Sequence, residues 1–125
     1  MGALEEAHAH LRKAEQFLTA AEVNQHLALF DAATSNAVSS GIDAKDAICL
    51  KLTGRTNKAE RHADAVKELK DAGTKAAALA PTFERLLALK KKSQYQAAAT
   101  TGAAATKAVE RAHRMYDGAK EIVTS

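Results

Sequence analysis

The sequence predicts an all-α protein, and three observations support this prediction. Aromatic residues make up only 4% of the chain and alanine is abundant, a composition that favours helices over strands. One proline and six glycines leave long uninterrupted segments. Apolar residues recur at spacings of three and four, the period of an amphipathic helix, with no strand alternation. We therefore expect a single domain over residues 1–125, an up-and-down bundle of four main helices plus a shorter one.

The first two helices are predicted from long apolar stripes. The first stripe is made of Leu and Ala and runs from Leu4 to Ala21. The second helix is expected to begin near Asn24, which suits a cap, and to end at Gly54. Its stripe contains four small residues: Ala33, Ala37, Gly41 and Ala44. A glycine on an apolar face indicates the close approach of a neighbouring helix.

The three remaining helices are delimited by turn and cap signals. Asn57 followed by Glu60 resembles a capping box, so the third helix is expected to begin at Asn57 and to stop at "DAG", residues 71–73. Pro81 suits the first turn of the fourth helix. The break "TTG" at residues 100–102 precedes the fifth helix.

Charge and cysteine content limit the class of protein. Eighteen Lys and Arg against fifteen Asp and Glu give a net charge of +3, which permits anionic partners without requiring them. Cys49 stands alone, so we expect a buried, unreactive thiol rather than a disulfide framework. "MGALEEAHAH" lacks the apolar core of a secretory signal, and no apolar run approaches the roughly 20 residues that span a bilayer. The expectation is a cytoplasmic protein without a membrane segment or a cofactor.

Two E-x-x-H patterns raise the question of a metal site. Glu5 with His8 and Glu110 with His113 have the spacing found in di-iron carboxylate bundles. The further carboxylates that such a site needs are missing from the apolar faces, so we expect no metal site of this kind. Three further histidine positions, His8, His10 and His26, are expected at the surface.

The stretch "GRTNKAERHADAV", residues 54–66, is the strongest candidate for chemistry. A histidine imidazole moves protons near neutral pH, and an arginine guanidinium holds the charge of a phosphorane with a planar fork of donors. Arg55 and His62 would take these roles, with Asn57 as a supporting polar residue. The alternative is structural: Arg55 is a solvated loop residue, and His62 is a boundary residue beside Val66.

A second basic segment, "LKKKSQYQ" at residues 89–96, could contact phosphates while its tyrosine stacks on a base. The alternative is a helix C-terminus whose lysines complement the helix dipole. The candidate RNA-binding residues of the two basic segments are Lys58, Arg61, Lys90, Lys91, Lys92 and Tyr95.

The order of these features resembles the HEPN superfamily, named for higher eukaryote and prokaryote nucleotide-binding proteins. The resemblance covers roughly residues 10–123: a long second helix with small residues, a polar turn ending in "RH", then "FERLLALKKKSQYQ" and a final amphipathic helix. It implies a metal-independent endoribonuclease that uses the Arg-x6-His pair of Arg55 and His62 in a site shared by a homodimer. The chain departs from the family pattern at Thr56, Lys90 and Gln94.

Two classes of function follow from the resemblance. One is the ribonuclease, such as the toxin of a toxin–antitoxin pair or a stress nuclease. The other is a catalytically inactive module that binds a nucleotide, a nucleic acid or a protein partner. A homodimer is expected in either case, and the small residues of the second helix are predicted to admit the second chain. The alternative is that they admit only a helix of the same chain.

Overall fold

The computed structural model describes residues 1–58, 61–95 and 98–125, with the side chains of residues 91–95 outside the description. Its five helices are α1 (Ala3–His26), α2 (Phe30–Thr53), α3 (His62–Asp71), α4 (Thr74–Tyr95) and α5 (Gly102–Thr124). No strand occurs among the described residues. Four helices have 22 to 24 residues, and α3 has 10. The predicted all-α bundle of four main helices plus a shorter one is confirmed.

Contacts between helices give the direction of each one. His10 approaches Asp43, and Asn36 donates a hydrogen bond to Asn24, so α1 and α2 run antiparallel. α1 and α5 are also antiparallel, because Gln25 contacts Thr106 and Glu15 contacts Tyr116. α2 and α4 are antiparallel as well, since Gly41 lies against Leu86 and Leu52 against Gly73. The four long helices therefore alternate in direction, as in an up-and-down bundle.

The core is formed by the predicted apolar stripes. In α1 the stripe from Ala7 to Ala21 is buried, whereas Leu4 at its start is 52% exposed. The larger residues that fill the centre include Ile48, Leu69, Phe83, Leu86 and Met115. Alanines occupy much of the remaining helix–helix contact, and their short side chains allow the helix backbones to approach closely. Burial of these faces stabilises helices that would be marginal alone.

The small residues of α2 are covered by the chain itself. Ala33, Ala37 and Ala44 have no exposed surface, and Gly41 is also buried. A Cβ atom added at Gly41 would collide with the Leu86 side chain of α4. The close approach predicted from the glycine is confirmed, but the neighbour belongs to the same chain. The expectation that this stripe admits a second protomer is therefore wrong, and a homodimer would need another surface.

Three helix starts, those of α2, α3 and α4, differ from the sequence prediction. α1 continues past Asn24 to His26, and α2 begins only at Phe30, after a turn in which Ala28 has a φ of 59°. α4 begins at Thr74, so Pro81 lies well inside the helix rather than in its first turn. Pro81 removes one main-chain hydrogen bond there, yet the helix continues because apolar residues on both sides of it are buried.

The predicted helix ends agree with the structure. Gly54 caps α2 with a φ of 79°, and its amide donates to the Leu50 carbonyl. The "DAG" stop ends α3, with Gly73 at a φ of 146°. Thr101 caps α5 by accepting a hydrogen bond from the Ala104 amide. Within the described ranges, no helix combines the length and the hydropathy needed to cross a bilayer.

Candidate functional site

The α2–α3 loop, described at residues 54–58 and 61, contains four predicted site residues: Arg55, Asn57, Lys58 and Arg61. Arg55 is exposed directly after Gly54, and its carbonyl accepts a hydrogen bond from the Thr53 hydroxyl at 3.0 Å. α3 begins at His62, not at Asn57, and the residue before it, Arg61, makes no side-chain cap. The predicted capping box is therefore wrong at Asn57, which precedes the helix by several residues. Its predicted partner, Glu60, lies outside the described residues.

Behind this loop lies a buried lysine that sequence reasoning missed. The Lys45 side chain is only 2% exposed, although it ends in a charge. Its ammonium group pairs with the Glu68 carboxylate and with Asp46, the latter at 3.2 Å. It also donates to the Thr56 hydroxyl at 3.1 Å and to the Asn57 carbonyl at 3.2 Å. A buried charge is costly unless it is paired and hydrogen-bonded, and Lys45 is both.

Further hydrogen bonds close the Lys45 network, which we define as Lys45, Asp46, Thr56, Asn57 and Glu68. Thr56 donates to the Asp46 carboxylate at 2.6 Å, and the Asn57 amide donates to the Glu68 carboxylate at 3.1 Å. The network thus joins α2, the loop and α3 through side chains on all three. Asn57 contributes only main-chain groups: its carbonyl accepts a hydrogen bond from Lys45, and its amide donates one to Glu68.

The charges of the network are mutually reinforcing. Burial alone would lower the pKa of Lys45, but the hydrogen bond to Glu68 and the nearby Asp46 outweigh it and raise that pKa above 10.5. Burial likewise opposes ionisation of Glu68, yet Lys45 and the Asn57 amide lower its pKa below 4.5. Both groups are therefore charged over a wide range around neutral pH.

Arg55 and His62 lie beside different depressions. Arg55 lines one with Thr53 and three acidic residues: Asp64, Glu68 and Asp71. His62, half-buried at the start of α3, lines another between α3 and α4. Among the described residues, only Lys67 lines both of these depressions. Within a single chain, the described residues thus place the predicted catalytic pair beside two separate surfaces.

The depression at His62 has an apolar floor and a basic rim. Val66 and Leu87 are buried in its floor, and Lys67 and Lys70 stand on its edge with the acidic Glu84. Its character therefore differs from the depression at Arg55, where acidic residues predominate.

The other predicted RNA-binding residues belong to the α2–α3 loop and to the last turns of α4. Lys58 and Arg61 are exposed in the loop, and Arg61 pairs with Asp64 at 3.6 Å on the surface. Lys90 is half-buried near the end of α4. The predicted contacts of Lys91, Lys92 and Tyr95 lie outside the described side chains.

A second polar cluster, the α1–α2 cluster, consists of His10, Asp43 and Asp46. The His10 Nδ1 atom lies 2.8 Å from an Asp43 oxygen and 4.0 Å from an Asp46 oxygen. His10 was expected to be an ordinary surface residue, but its side chain is 29% exposed and faces these carboxylates. By contrast, the E-x-x-H residue His113 pairs with Asp117 on the exposed surface of α5.

Cys49 agrees with its predicted state. It lies fully buried in α2, and burial is the main cause that raises the pKa of its thiol to about 12. The group is therefore a protonated core residue and lacks the thiolate character of a nucleophile.

Comparison with known proteins leaves the family open. No protein-family model matches the chain, and no curated protein matches it.

Proposed function

We propose that this chain is a HEPN-type, metal-independent endoribonuclease in which Arg55 and His62 act on a phosphodiester. The observation that carries the proposal is that Arg55 has an exposed guanidinium group next to a backbone segment held by hydrogen bonds from the buried Lys45. Its side chain is exposed, and its guanidinium group makes no hydrogen bond or ion pair with the described residues. The adjacent backbone is held by the buried Lys45 network at Thr56 and Asn57.

Such an arrangement suits a group that must meet a phosphate in a fixed position. A catalytic side chain acts efficiently when neighbouring hydrogen bonds hold its backbone in place. Replacing a buried ion pair by apolar residues is often neutral or stabilising, so stability alone is a weak reason for burying Lys45. We infer that the Lys45 network holds the α2–α3 loop in place and thereby positions Arg55.

In the proposed mechanism His62 transfers the proton of the 2′-hydroxyl or of the leaving group. Arg55 stabilises the negative charge that develops on the phosphorane. Because the two residues border different depressions in one chain, we propose that Arg55 of one protomer meets His62 of another in a homodimer. Thr53 and the acidic residues near Arg55 would then lie at the edge of the shared site.

The proposed enzyme would work in the cytoplasm on RNA, with an antitoxin or another protein partner restraining it. Lys58 and Lys90 would contribute to RNA binding through phosphate contacts, which are mainly electrostatic. These roles rest on the resemblance and on the basic residues near the loop.

The second candidate function is a catalytically inactive binding module. One observation favours it, the depression at His62, whose apolar floor and basic rim of Lys67 and Lys70 suit a nucleotide. The base would cover Val66 and Leu87, and the lysines would face its phosphates. In this case the acidic residues around Arg55 would disfavour RNA at that surface.

RNA cleavage by purified protein tests the first proposal. His62→Ala should lower turnover by about 10²–10⁴, the usual contribution of general acid–base catalysis, in EDTA as well as in magnesium. Arg55→Ala should lower it by about 10²–10³, the usual cost of losing one group that stabilises transition-state charge. RNA binding should change much less, because both groups act mainly in the transition state. The matched controls are His113→Ala and Arg114→Ala, which alter exposed residues of α5 and should cleave like the wild type.

Mixing the two inactive variants tests the shared site. Random exchange of subunits gives half heterodimers, each with one intact Arg55–His62 site of two, so about a quarter of wild-type activity should return. No recovery despite proven subunit exchange would refute the shared site. If wild-type protein leaves both structured and unstructured RNA intact, the nuclease proposal fails, and nucleotide binding at the His62 depression becomes the reading to test.

A further inference from the structure

The α1–α2 cluster brings together three side chains that can bind a metal ion. One atom each from His10, Asp43 and Asp46 lies within 4.8 Å of the others. Metal–ligand bonds of about 2.0–2.2 Å place neighbouring ligand atoms of one ion about 3–3.5 Å apart. The separations of 2.8 Å and 4.0 Å from the His10 Nδ1 atom lie on either side of this range. Small side-chain rotations would therefore allow all three to bind one ion.

Asp46 is already oriented for this role. One of its carboxylate oxygens is held by the Lys45 ammonium and the Thr56 hydroxyl, at 3.2 Å and 2.6 Å. The other oxygen is the one that faces His10. Hydrogen bonds that fix a carboxylate in this way are typical of metal ligands, because they reduce the freedom lost on binding.

The charge balance also favours a cation. Asp43 contacts His10, and Lys45 pairs with both Asp46 and Glu68. The charged groups joined by these contacts are therefore three carboxylates and one ammonium group. Three negative charges and one positive charge leave a surplus of two negative charges when the imidazole is neutral. The Asp43 and Asp46 side chains are only 14% and 17% exposed, so water screens this surplus incompletely.

We propose that His10, Asp43 and Asp46 form a binding site for one divalent transition-metal ion between α1 and α2, with Zn²⁺ as the best fit. An imidazole nitrogen favours zinc over magnesium and calcium, which prefer oxygen ligands alone. Water would complete the coordination, because His10 keeps part of its surface exposed. The ion links α1 to α2 and contacts the Lys45 network directly through Asp46, which belongs to both groups.

Calorimetric titration of the metal-free chain with ZnCl₂ tests the site. We expect saturable binding of one ion per chain, and a loss of affinity of at least about tenfold in both His10→Ala and Asp43→Asn. Asp43→Asn is nearly isosteric, so it decides the matter if His10→Ala fails to fold by circular dichroism. His113→Ala is the matched control, because it removes another histidine beside an aspartate and should bind Zn²⁺ as the wild type does.

Three outcomes would overturn the proposal. The first is the absence of saturable binding at micromolar Zn²⁺, and the second is unchanged affinity in the His10 and Asp43 variants. Equal competition by Mg²⁺ or Ca²⁺ would also contradict it, because it would show a carboxylate site without the histidine. Co²⁺ supplies a spectroscopic check, since binding at His10 should give visible d–d bands that are lost in His10→Ala.

Discussion

Replacing Lys45 by methionine should strongly destabilise the fold, since it leaves the shape of the side chain but removes its charge. Removing one partner of a buried ion pair costs about 3–5 kcal/mol, because the remaining charges lose their partner. Asp46 and Glu68 keep 17% and 19% of their side-chain surface exposed, so water compensates part of this loss. The Asn57 amide also still donates to Glu68. We expect Lys45→Met to lower the free energy of unfolding by about 2–3 kcal/mol.

The expected shift in melting temperature follows from the size of the chain. An unfolding entropy of about 2.1 cal/mol/K per residue gives about 260 cal/mol/K for 125 residues, so Tm should fall by about 8–12 °C. Urea unfolding followed by circular dichroism at neutral pH measures the free energy directly. Adding Glu68→Gln to Lys45→Met should recover part of the loss, because it removes one of the charges left unpaired.

The matched control is Lys67→Met, which removes an exposed lysine that pairs with Asp71 at the surface. Surface pairs of this kind contribute about 0–1 kcal/mol. If Lys45→Met costs no more than Lys67→Met, the charge of Lys45 does not hold the loop, and the reasoning behind the Arg55 proposal loses its support.

Three further results are expected. Wild type should be more stable than Glu68→Gln above pH 4.5, and this difference should disappear as the pH falls through the lowered pKa of Glu68. The stabilisation contributed by the Lys45 charge should be complete below pH 10.5 and be lost as the pH rises through its raised pKa; thermal melts across pH measure both effects. Gly41→Ala should cost up to about 2 kcal/mol in urea unfolding, because a Cβ there displaces the Leu86 side chain in the core while the better helix propensity of alanine offsets about 1 kcal/mol; a stabilisation of about 1 kcal/mol, the propensity gain alone, would contradict that contact. A thiol reagent should label Cys49 only as the chain unfolds; rapid labelling of folded protein would contradict its burial.

The fold could be predicted because it depends on a repeated pattern. Burial of one face per helix sets the period of the apolar residues, and this period is legible in every helix. The helix starts were less predictable, because packing outweighs local preference. Ala76 and Ala80 are buried on the α4 face before Pro81, so the helix extends through them despite the proline that suggested a start.

The candidate site was only partly legible in the sequence. The Arg55 loop was identified from its residue types, but Asn57 was assigned to a helix cap that the structure places elsewhere. Asn57→Ala should therefore change stability by less than about 0.5 kcal/mol, since its hydrogen bonds use the main chain. Lys45 was missed because its partner Glu68 lies on another helix. A lysine followed by an aspartate inside a stripe of buried residues was the available signal.

The short helix α3 has a further consequence. Only Val66 and Leu69 of its residues are buried, and it packs mainly against α4. Its connection to α2 depends largely on Glu68 and the Lys45 network. Elements with few buried apolar contacts open locally at a lower free energy than the whole fold. We therefore expect α3 and the preceding loop to unfold together as one unit, so that amide hydrogens of residues 62–71 exchange with solvent well before those of α2.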